Sequence, residues 1–488
     1  MTLSFLRKSS ALLFGFALLL SLNSRAQVDK KELIQDNELT LEEAIQVALA
    51  NSPVINRALL SVKDADELVK IAYGDVFPDI VSSLGYTRNI EIPVQYIPAK
   101  FFDPDAPEGA LAPVQFGTDN NWQGGFTVNQ NIFKGEVLVG LSTSAIYKTV
   151  QQENFRATSQ QVITQTRMAY YQVLGAREQL RLQETQIKRL EQNLKENRAR
   201  EEAGLIDSYA VLQLEVQLSN QRPQLIEAQY AVDEAYRNLK IAMGLPLNLD
   251  FTILGNLNDF DIVSATASNA DNKNIKEIDR MNAYSYQKEV MPENGLTDRR
   301  GDLRLLDAQL KLKDKEISAI KSRFLPVVTA QYNLQWSAAE PGTPNFFENS
   351  NRFKTLALNV SLPLFKGLKR VAEVQRAQIA RKDLEEQKRL SKLNAENEVA
   401  SAKEDLNKAF ETAEGRRQAL EQAQEGYERA SKRFDNGLGS QLEVTEAEVQ
   451  VRQAEVNYAL MVLEYLNAKA QYDLATGMVP FVDTNNVE

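Results

Sequence analysis

The sequence contains no cysteine and no histidine in 488 residues. That excludes disulfides, thiolate nucleophiles, a lipidated N-terminal cysteine, histidine general bases and the commonest zinc ligands. A catalytic site would have to rest on carboxylates alone, and no Gly-rich phosphate loop accompanies them. The sequence therefore argues against an enzyme and calls for no cofactor and no metal. Basic charge is also short, with 56 Lys and Arg against 66 Asp and Glu and a net charge of −10. An acidic chain is a poor partner for nucleic acid. Beyond the first residues there is no run of 18 apolar residues, so any membrane span must be built from β-strands.

The first residues have the form of a secretory signal. Arg7 and Lys8 precede the apolar stretch Ala11 to Leu20, and Ser24-Arg25-Ala26 forms a small-x-small cleavage site. Removal of residues 1–26 deletes three cations and no acid, which takes the net charge from −10 to −13.

Proline is missing from two long stretches, Phe133-Lys134-Gly135 to Gly204-Leu205 and Phe365-Lys366-Gly367 to Gly437-Leu438. Both are rich in Ala, Leu, Glu, Gln, Lys and Arg, and each predicts a helix roughly 100 Å long. The two stretches are copies. Lys134-Gly135 matches Lys366-Gly367 at an offset of 232, and Ala242-Met243-Gly244 matches Ala475-Thr476-Gly477 at 233. Each half reads as helix, strand, loop, strand, very long helix, turn and returning helix.

Thr40 followed by Glu43 predicts a capped helix start, and Asn51-Ser52-Pro53 a break before a second helix. After Pro78 the period changes to two. Strands are predicted at 80–92 and 122–133 in the first half, and at 327–336 and 354–365 in the second. In each, apolar residues such as Ile80, Phe126, Leu334 and Leu358 oppose polar ones such as Ser83, Thr127, Asn333 and Asn359. Apolar-out, polar-in strands of about ten residues are the mark of a transmembrane β-barrel. Tyr86, Trp122, Tyr332 and Trp336 fall on the apolar faces, as an aromatic belt requires. The joining segments, with five prolines between Ile92 and Asn121, read as irregular loops.

The helical runs carry seven-residue apolar rows, which imply left-handed coiled coils. Val399, Leu406, Ala413, Leu420, Tyr427 and Phe434 form one, with Ala402, Ala409, Ala423, Ala430 and the polar Arg416 beside it. The returning helices show Val211, Leu218, Leu225, Val232 and Leu239 with an alanine row at Ala228, Ala235 and Ala242. In the second half the rows are Leu442, Val449, Val456 and Leu463 with a separate Ala447, Ala454, Met461, Ala468 and Ala475. Two seams predict neighbours on two sides. Pro223 faces Val456 in the repeat and predicts a kink and unequal halves.

In this ordered combination the chain resembles the TolC-type outer membrane efflux protein family. The resemblance implies a mainly α fold with a transmembrane β-barrel. Three subunits with four strands each would form one 12-stranded barrel above an α-helical barrel of long coiled-coil hairpins. The division is a signal peptide at 1–26, a first repeat at 27–244, a waist insert at 245–297, a second repeat at 298–477 and a tail at 478–488. Within the repeats, the long helices span 136–203 and 368–436 and the returning helices 207–243 and 440–476. The implied role is an outer-membrane exit duct in a tripartite efflux or type I secretion system. Its partners would be two further copies, a periplasmic adaptor, an inner-membrane pump of the RND or ABC type, and outer-membrane lipid.

The resemblance also implies site residues. Gly204, Leu205, Gly437 and Leu438 would form the adaptor-docking tips, and Glu443 and Glu446 a carboxylate ring at the pore entrance. The tip lock of the family falls on Ala210, Phe434 and Gly439 here, all departures, so the tip must close by other contacts, with Phe434 and Pro223 as gate positions. Two rivals carry some of the same features. A trimeric adhesin with a β-barrel anchor would have consecutive C-terminal strands, and a periplasmic adaptor would lack the apolar-out strand pairs.

Overall fold

The structure is a computed structural model that describes residues 38–260, 299–341, 350–480 and 482. The expected signal peptide, most of the waist insert and most of the tail lie outside the described residues.

A short strand β1 (Glu38–Leu39) leads into α1 (Leu41–Asn51) and α2 (Pro53–Gly74). The predicted capping box is present, with the Glu43 amide donating to Thr40 Oγ1 at 3.2 Å and the Thr40 amide to Glu43 Oε2 at 2.8 Å. Then come β2 (Asp79–Arg88), β3 (Val94–Pro98), β4 (Leu111–Gln115), β5 (Asn120–Phe133), α3 (Gly135–Glu202), α4 (Ser208–Met243) and β6 (Thr252–Ile253). The second repeat supplies α5 (Gly301–Ser322), β7 (Val327–Glu340), β8 (Ser350–Ser361), α6 (Lys369–Asp435) and α7 (Gln441–Ala475).

The strand limits differ from expectation in ways that have local causes. β8 ends at Ser361, because Pro363 has no amide to donate, so Leu362 and Leu364 leave the sheet. The β7–β8 pairing instead runs on to Ala338 and Ser350, lengthening both strands at the loop end. Part of the first loop is also ordered: β3 and β4 pair antiparallel, with Pro98 and Pro113 placed within the hairpin.

The sheet order is β2-β5-β7-β8, all antiparallel, so the two repeats meet at its centre and both outer edges stay open. One face carries a hydrogen-bonded polar row. Thr127 Oγ1 donates to Asn333 Oδ1 at 2.9 Å, and Asn333 Nδ2 donates to Thr355 Oγ1 at 3.2 Å. The other face carries Ile80, Val128, Tyr332 and Leu356 in register, with Leu356 79% exposed.

Below the sheet, α3 packs against α2 and α5 and then against α4 and α7, while α6 packs against α5 and α7. α3 is 68 residues long and α6 67, about 100 Å each at 1.5 Å per residue. The main core lies at the waist, where Phe155, Ile163, Tyr171 and Val173 of α3 meet Ile45, Ile55, Leu239, Met243 and Leu466. Arg167 and Asp473 are buried there together at 3.0 Å, with Lys469 2.8 Å from the same carboxylate. Gly244 and Gly477 end the returning helices at φ +71 and +68, and each presses on a repeat-equivalent backbone. An added Cβ would lie 2.6 Å from the Asn51 carbonyl oxygen at Gly244, and 2.7 Å from the Arg299 carbonyl carbon at Gly477.

The seams are partly rearranged. On α4 the leucine and alanine rows merge into one buried stripe, including Val211, Leu214, Leu218, Ala228, Ala235 and Leu239. A second stripe, Tyr209, Leu212, Val216, Ile226 and Tyr230, is exposed on another face, and Pro223 shares its seven-residue spacing. α4 continues through Pro223 as one helix. On α7, Leu442 and Val449 point outward, and the buried row contains Val444, Glu448 and Val451. On α6, Ala395, Ala402, Ala409 and Ala413 are buried, and Arg416 is exposed.

Candidate functional site

The hairpin tips are built by their glycines. At Gly204 the chain turns left-handed, with φ +69, and the Leu205 amide reaches back to the Arg200 carbonyl at 2.8 Å. Gly437, at φ +71, does the same through the Leu438 amide and the Arg433 carbonyl, again at 2.8 Å. These are Schellman closures, and only glycine takes that conformation without strain. The side chains of Leu205 and Leu438 are left projecting, 75% and 72% exposed. Asp207 and Ser440 then cap the returning helices by accepting from the amides of Tyr209 and Glu443.

Arg200 ties the two hairpins together at this end. Arg200 Nη2, from the first hairpin, donates to Asp435 Oδ1 of the second at 2.8 Å, and its guanidinium lies 5.1 Å from the centroid of the Phe434 ring. Phe434 therefore faces the other hairpin. Neither Arg200 nor Asp435 was singled out in the sequence, yet the repeat carries a signal. Arg200 and Arg433 each stand four residues before a tip glycine, and Glu202 and Asp435 each stand two before it. The copies do different work. Arg433 stays in its own hairpin, donating to the Leu438 carbonyl at 3.2 Å and lying 4.0 Å from Glu443. Glu443 is thus turned toward a cation of its own subunit, whereas Glu446 is exposed with no ion-pair partner among the described residues.

Above the tip the hairpins meet through a buried polar layer. Gln186 Nε2 of α3 donates to Glu448 Oε1 of α7 at 3.2 Å, and Arg189 lies 3.8 Å from Glu455. Burial pushes both carboxyls above the usual glutamate range, against the pull of Arg189 on each. Tyr427 of α6 closes the layer, its hydroxyl also pushed up by burial and by Glu448.

At the other end of the molecule, Tyr86, Tyr332 and Trp336 line the sheet face that carries the exposed apolar row, and Trp336 meets Phe126 edge-on at 6.3 Å. Trp122 lies on the same face, opposite Tyr86, but is covered there. It is 6% exposed and belongs with Asn120, Ala338 and Glu340 to a covered cluster at the loop end of the sheet.

A sequence profile described as outer membrane efflux protein matches residues 44–245 and 295–478. The chain is 22% identical over 415 residues to the pyoverdine export outer membrane protein OpmQ of Pseudomonas aeruginosa, covering 84% of this chain and 78% of that one. The CmeC outer membrane channel of Campylobacter jejuni aligns at a TM-score of 0.69 and 16% identity, over 96% of this chain and 92% of its own. The open state of the MtrE outer membrane channel of Neisseria gonorrhoeae aligns at 0.68 and 14% identity over 93% of each chain. At these identities the solved channels speak for the fold, a helical barrel joined to a β-barrel.

Proposed function

Because the chain belongs to the outer membrane efflux protein family, we propose that it is the passive exit duct of a tripartite export machine, opened at its tip by a periplasmic adaptor. It is an outer-membrane protein whose helices extend into the periplasm. The observation that carries the proposal is a sheet apolar on one face, polar on the other and open at both edges, set on two 100-Å hairpins. Lipid cannot satisfy open strand edges, and four strands are too few to close around a channel. Three copies make 12 strands and remove every edge.

The tip leucines are the surface offered to the adaptor, since paired exposed leucines on a rigid turn suit a helical hairpin partner. Opening swings the second hairpin away from the first. It must break the contacts of Arg200 with Phe434 and Asp435 and expose the layer around Glu448. The energy comes from an inner-membrane pump, as the chain offers no energy-converting chemistry of its own. OpmQ, by its name, exports pyoverdine. We extend to this chain the role of a duct and not that cargo.

Glu443 and Glu446 supply negative charge at the entrance. Planar bilayers test the reading directly. The detergent-purified protein should run as a trimer and conduct with cation preference, and Glu443→Gln with Glu446→Gln should move the reversal potential toward zero. A water-soluble monomer without conductance would sink the duct, and unchanged selectivity would return the two glutamates to a solvated helix face.

A further inference from the structure

Inside the subunit the two repeats are joined where the corner between α5 and β7 docks on the start of α3. Gly135 is buried there, and an added Cβ would lie 2.9 Å from Ser322 Cβ. Arg323, the next residue of the corner, contacts Glu136, and Val327 lines the same cavity as Lys134. The repeat holds both halves of this dock a second time. α2 and α5 are 22 residues each and correspond at an offset of 248, so Gly74, Asp75 and Asp79 stand in the places of Ser322, Arg323 and Val327. The second motif, Phe365-Lys366-Gly367, corresponds to the first at 232 and leads into α6. Within one subunit these halves lie apart, α2 packing on α3 while α6 packs on α5 and α7. An added Cβ at Gly74 or at Gly367 would meet nothing within 4 Å, and Phe77 and Leu368 are 68% and 71% exposed.

The charges of the second dock are the reverse of the first. In the first, the corner brings Arg323 and the helix start offers Glu136. In the second, the corner brings Asp75 and Asp79 and the helix start offers lysines. α6 begins two residues later than the repeat alone would place it, since Gly367 and Leu368 are left-handed, at φ +58 and +62. The place of Glu136 thus falls to Leu368 along the chain and to Arg370 along the helix, and neither is acidic. Lys366 and Lys369 line a cavity whose two carboxylates, Glu136 and Glu373, are both engaged by Arg323. Lys366, Lys369, Asp75 and Asp79 have no ion-pair partner among the described residues.

We propose that the α2–β2 corner docks on the start of α6 in the next subunit, so that Asp75 and Asp79 face Lys366 and Lys369 across the subunit boundary. One joint, corner on helix start, then alternates within and between subunits until the ring closes. The exchanged charges keep the two joints distinct. An Asp75 corner offered to α3 meets Glu136, and an Arg323 corner offered to α6 meets lysines, so each is repelled from the other's seat. A chain with two near copies of one joint needs that discrimination to avoid swapping them. The inference rests on the trimer of the duct reading and names the surface by which its subunits recognise each other.

The first test needs no substitution, because a carbodiimide joins a carboxylate to a lysine amine only where the two touch. The detergent-purified trimer is treated and separated on a denaturing gel, and the crosslinked peptides of each band are identified by mass spectrometry. Peptides joining Asp75 or Asp79 to Lys366 or Lys369 should occur in the covalent dimer and trimer bands and be absent from the monomer band. The contact of Asp307 with Lys388 inside one subunit is the control and should crosslink in every band. In a second test, Asp75→Lys with Asp79→Lys should lower the temperature at which the trimer dissociates, as should Lys366→Glu with Lys369→Glu. All four substitutions in one chain should recover most of that loss. The proposed crosslinks in the monomer band, their absence from a trimer that gives the control, or a fourfold variant with the summed loss would each overturn the dock. A monomeric protein would end the duct reading together with the dock, whereas a trimer without these crosslinks removes the dock alone.

Discussion

Arg200 ties the two hairpins together at the tip. The Arg200–Asp435 pair is half exposed, so solvent weakens it, and the stack on Phe434 adds the smaller share expected at a surface. Together they are worth about 1 kcal/mol per subunit. Three copies that open together would shift the closed–open balance by on the order of a hundredfold. Arg200→Ala should therefore raise single-channel open probability, and Arg200→Lys should fall between, since lysine keeps the charge but loses the planar stack. An Ala variant with native gating would remove Arg200 from the gate. The contact was hidden in the sequence because its partners are 235 residues apart. The family lock, read onto Ala210, Phe434 and Gly439, pointed at only one of the three residues that meet. What was legible was Phe434 itself and an arginine at the same place in both repeats.

At the scale of the helix, apolar periodicity misleads in the tip half of α7, while Met461, Ala468 and Ala475 of its second predicted row are buried. Leu442 and Val449 are the more hydrophobic row, yet they face outward, and Glu448 is 1% exposed within the subunit. Leu442 and Val449 stay exposed in the subunit, and the row packed toward α3 sets Glu448 between Val444 and Val451. Helix ends, by contrast, were readable to within about one residue, because Gly204, Gly437, Asp207 and Ser440 act locally.

The misplaced row has a pH consequence. Burial raises the pKa of Glu448 while the hairpins are packed, so the packed state holds a proton that an opened, hydrated Glu448 gives up. Between the ordinary glutamate pKa and the raised one, the packed interface gains stability as pH falls and loses it as pH rises. Acidification through that window should lower open probability. Glu448→Gln should hold the low value across the range, with the remaining slope carried by Glu455, whose pKa moves the same way. An undiminished pH response in the Glu448→Gln, Glu455→Gln double variant would assign the effect elsewhere.

At the scale of the whole molecule, the open edges of β2 and β8 decide how the protein is assembled. The sequence showed four strands and their faces but not their order, since the β5–β7 pairing joins segments some 200 residues apart and no local rule encodes it. Once the order is β2-β5-β7-β8, the unpaired edges belong to the first and last strands, so in the proposed trimer β2 of one subunit would meet β8 of the next. A natural absence makes this testable, because the chain has no cysteine to interfere. Ser83 lies on the sheet face shared with Thr355, Ala357 and Asn359. A disulfide needs Cα atoms about 4.4–6.8 Å apart, a condition met only by residues nearly opposite on paired strands. Ser83→Cys combined in turn with Thr355→Cys, Ala357→Cys and Asn359→Cys samples successive registers on that face. At least one pair should give covalently closed trimers on mild oxidation, and the pair that does so fixes the stagger of the barrel. Within one subunit β2 and β8 are separated by two strands, so a crosslink there cannot imitate the result. If all three pairs yielded only monomers from a preparation that is trimeric before oxidation, the subunits would have to join through their helices alone.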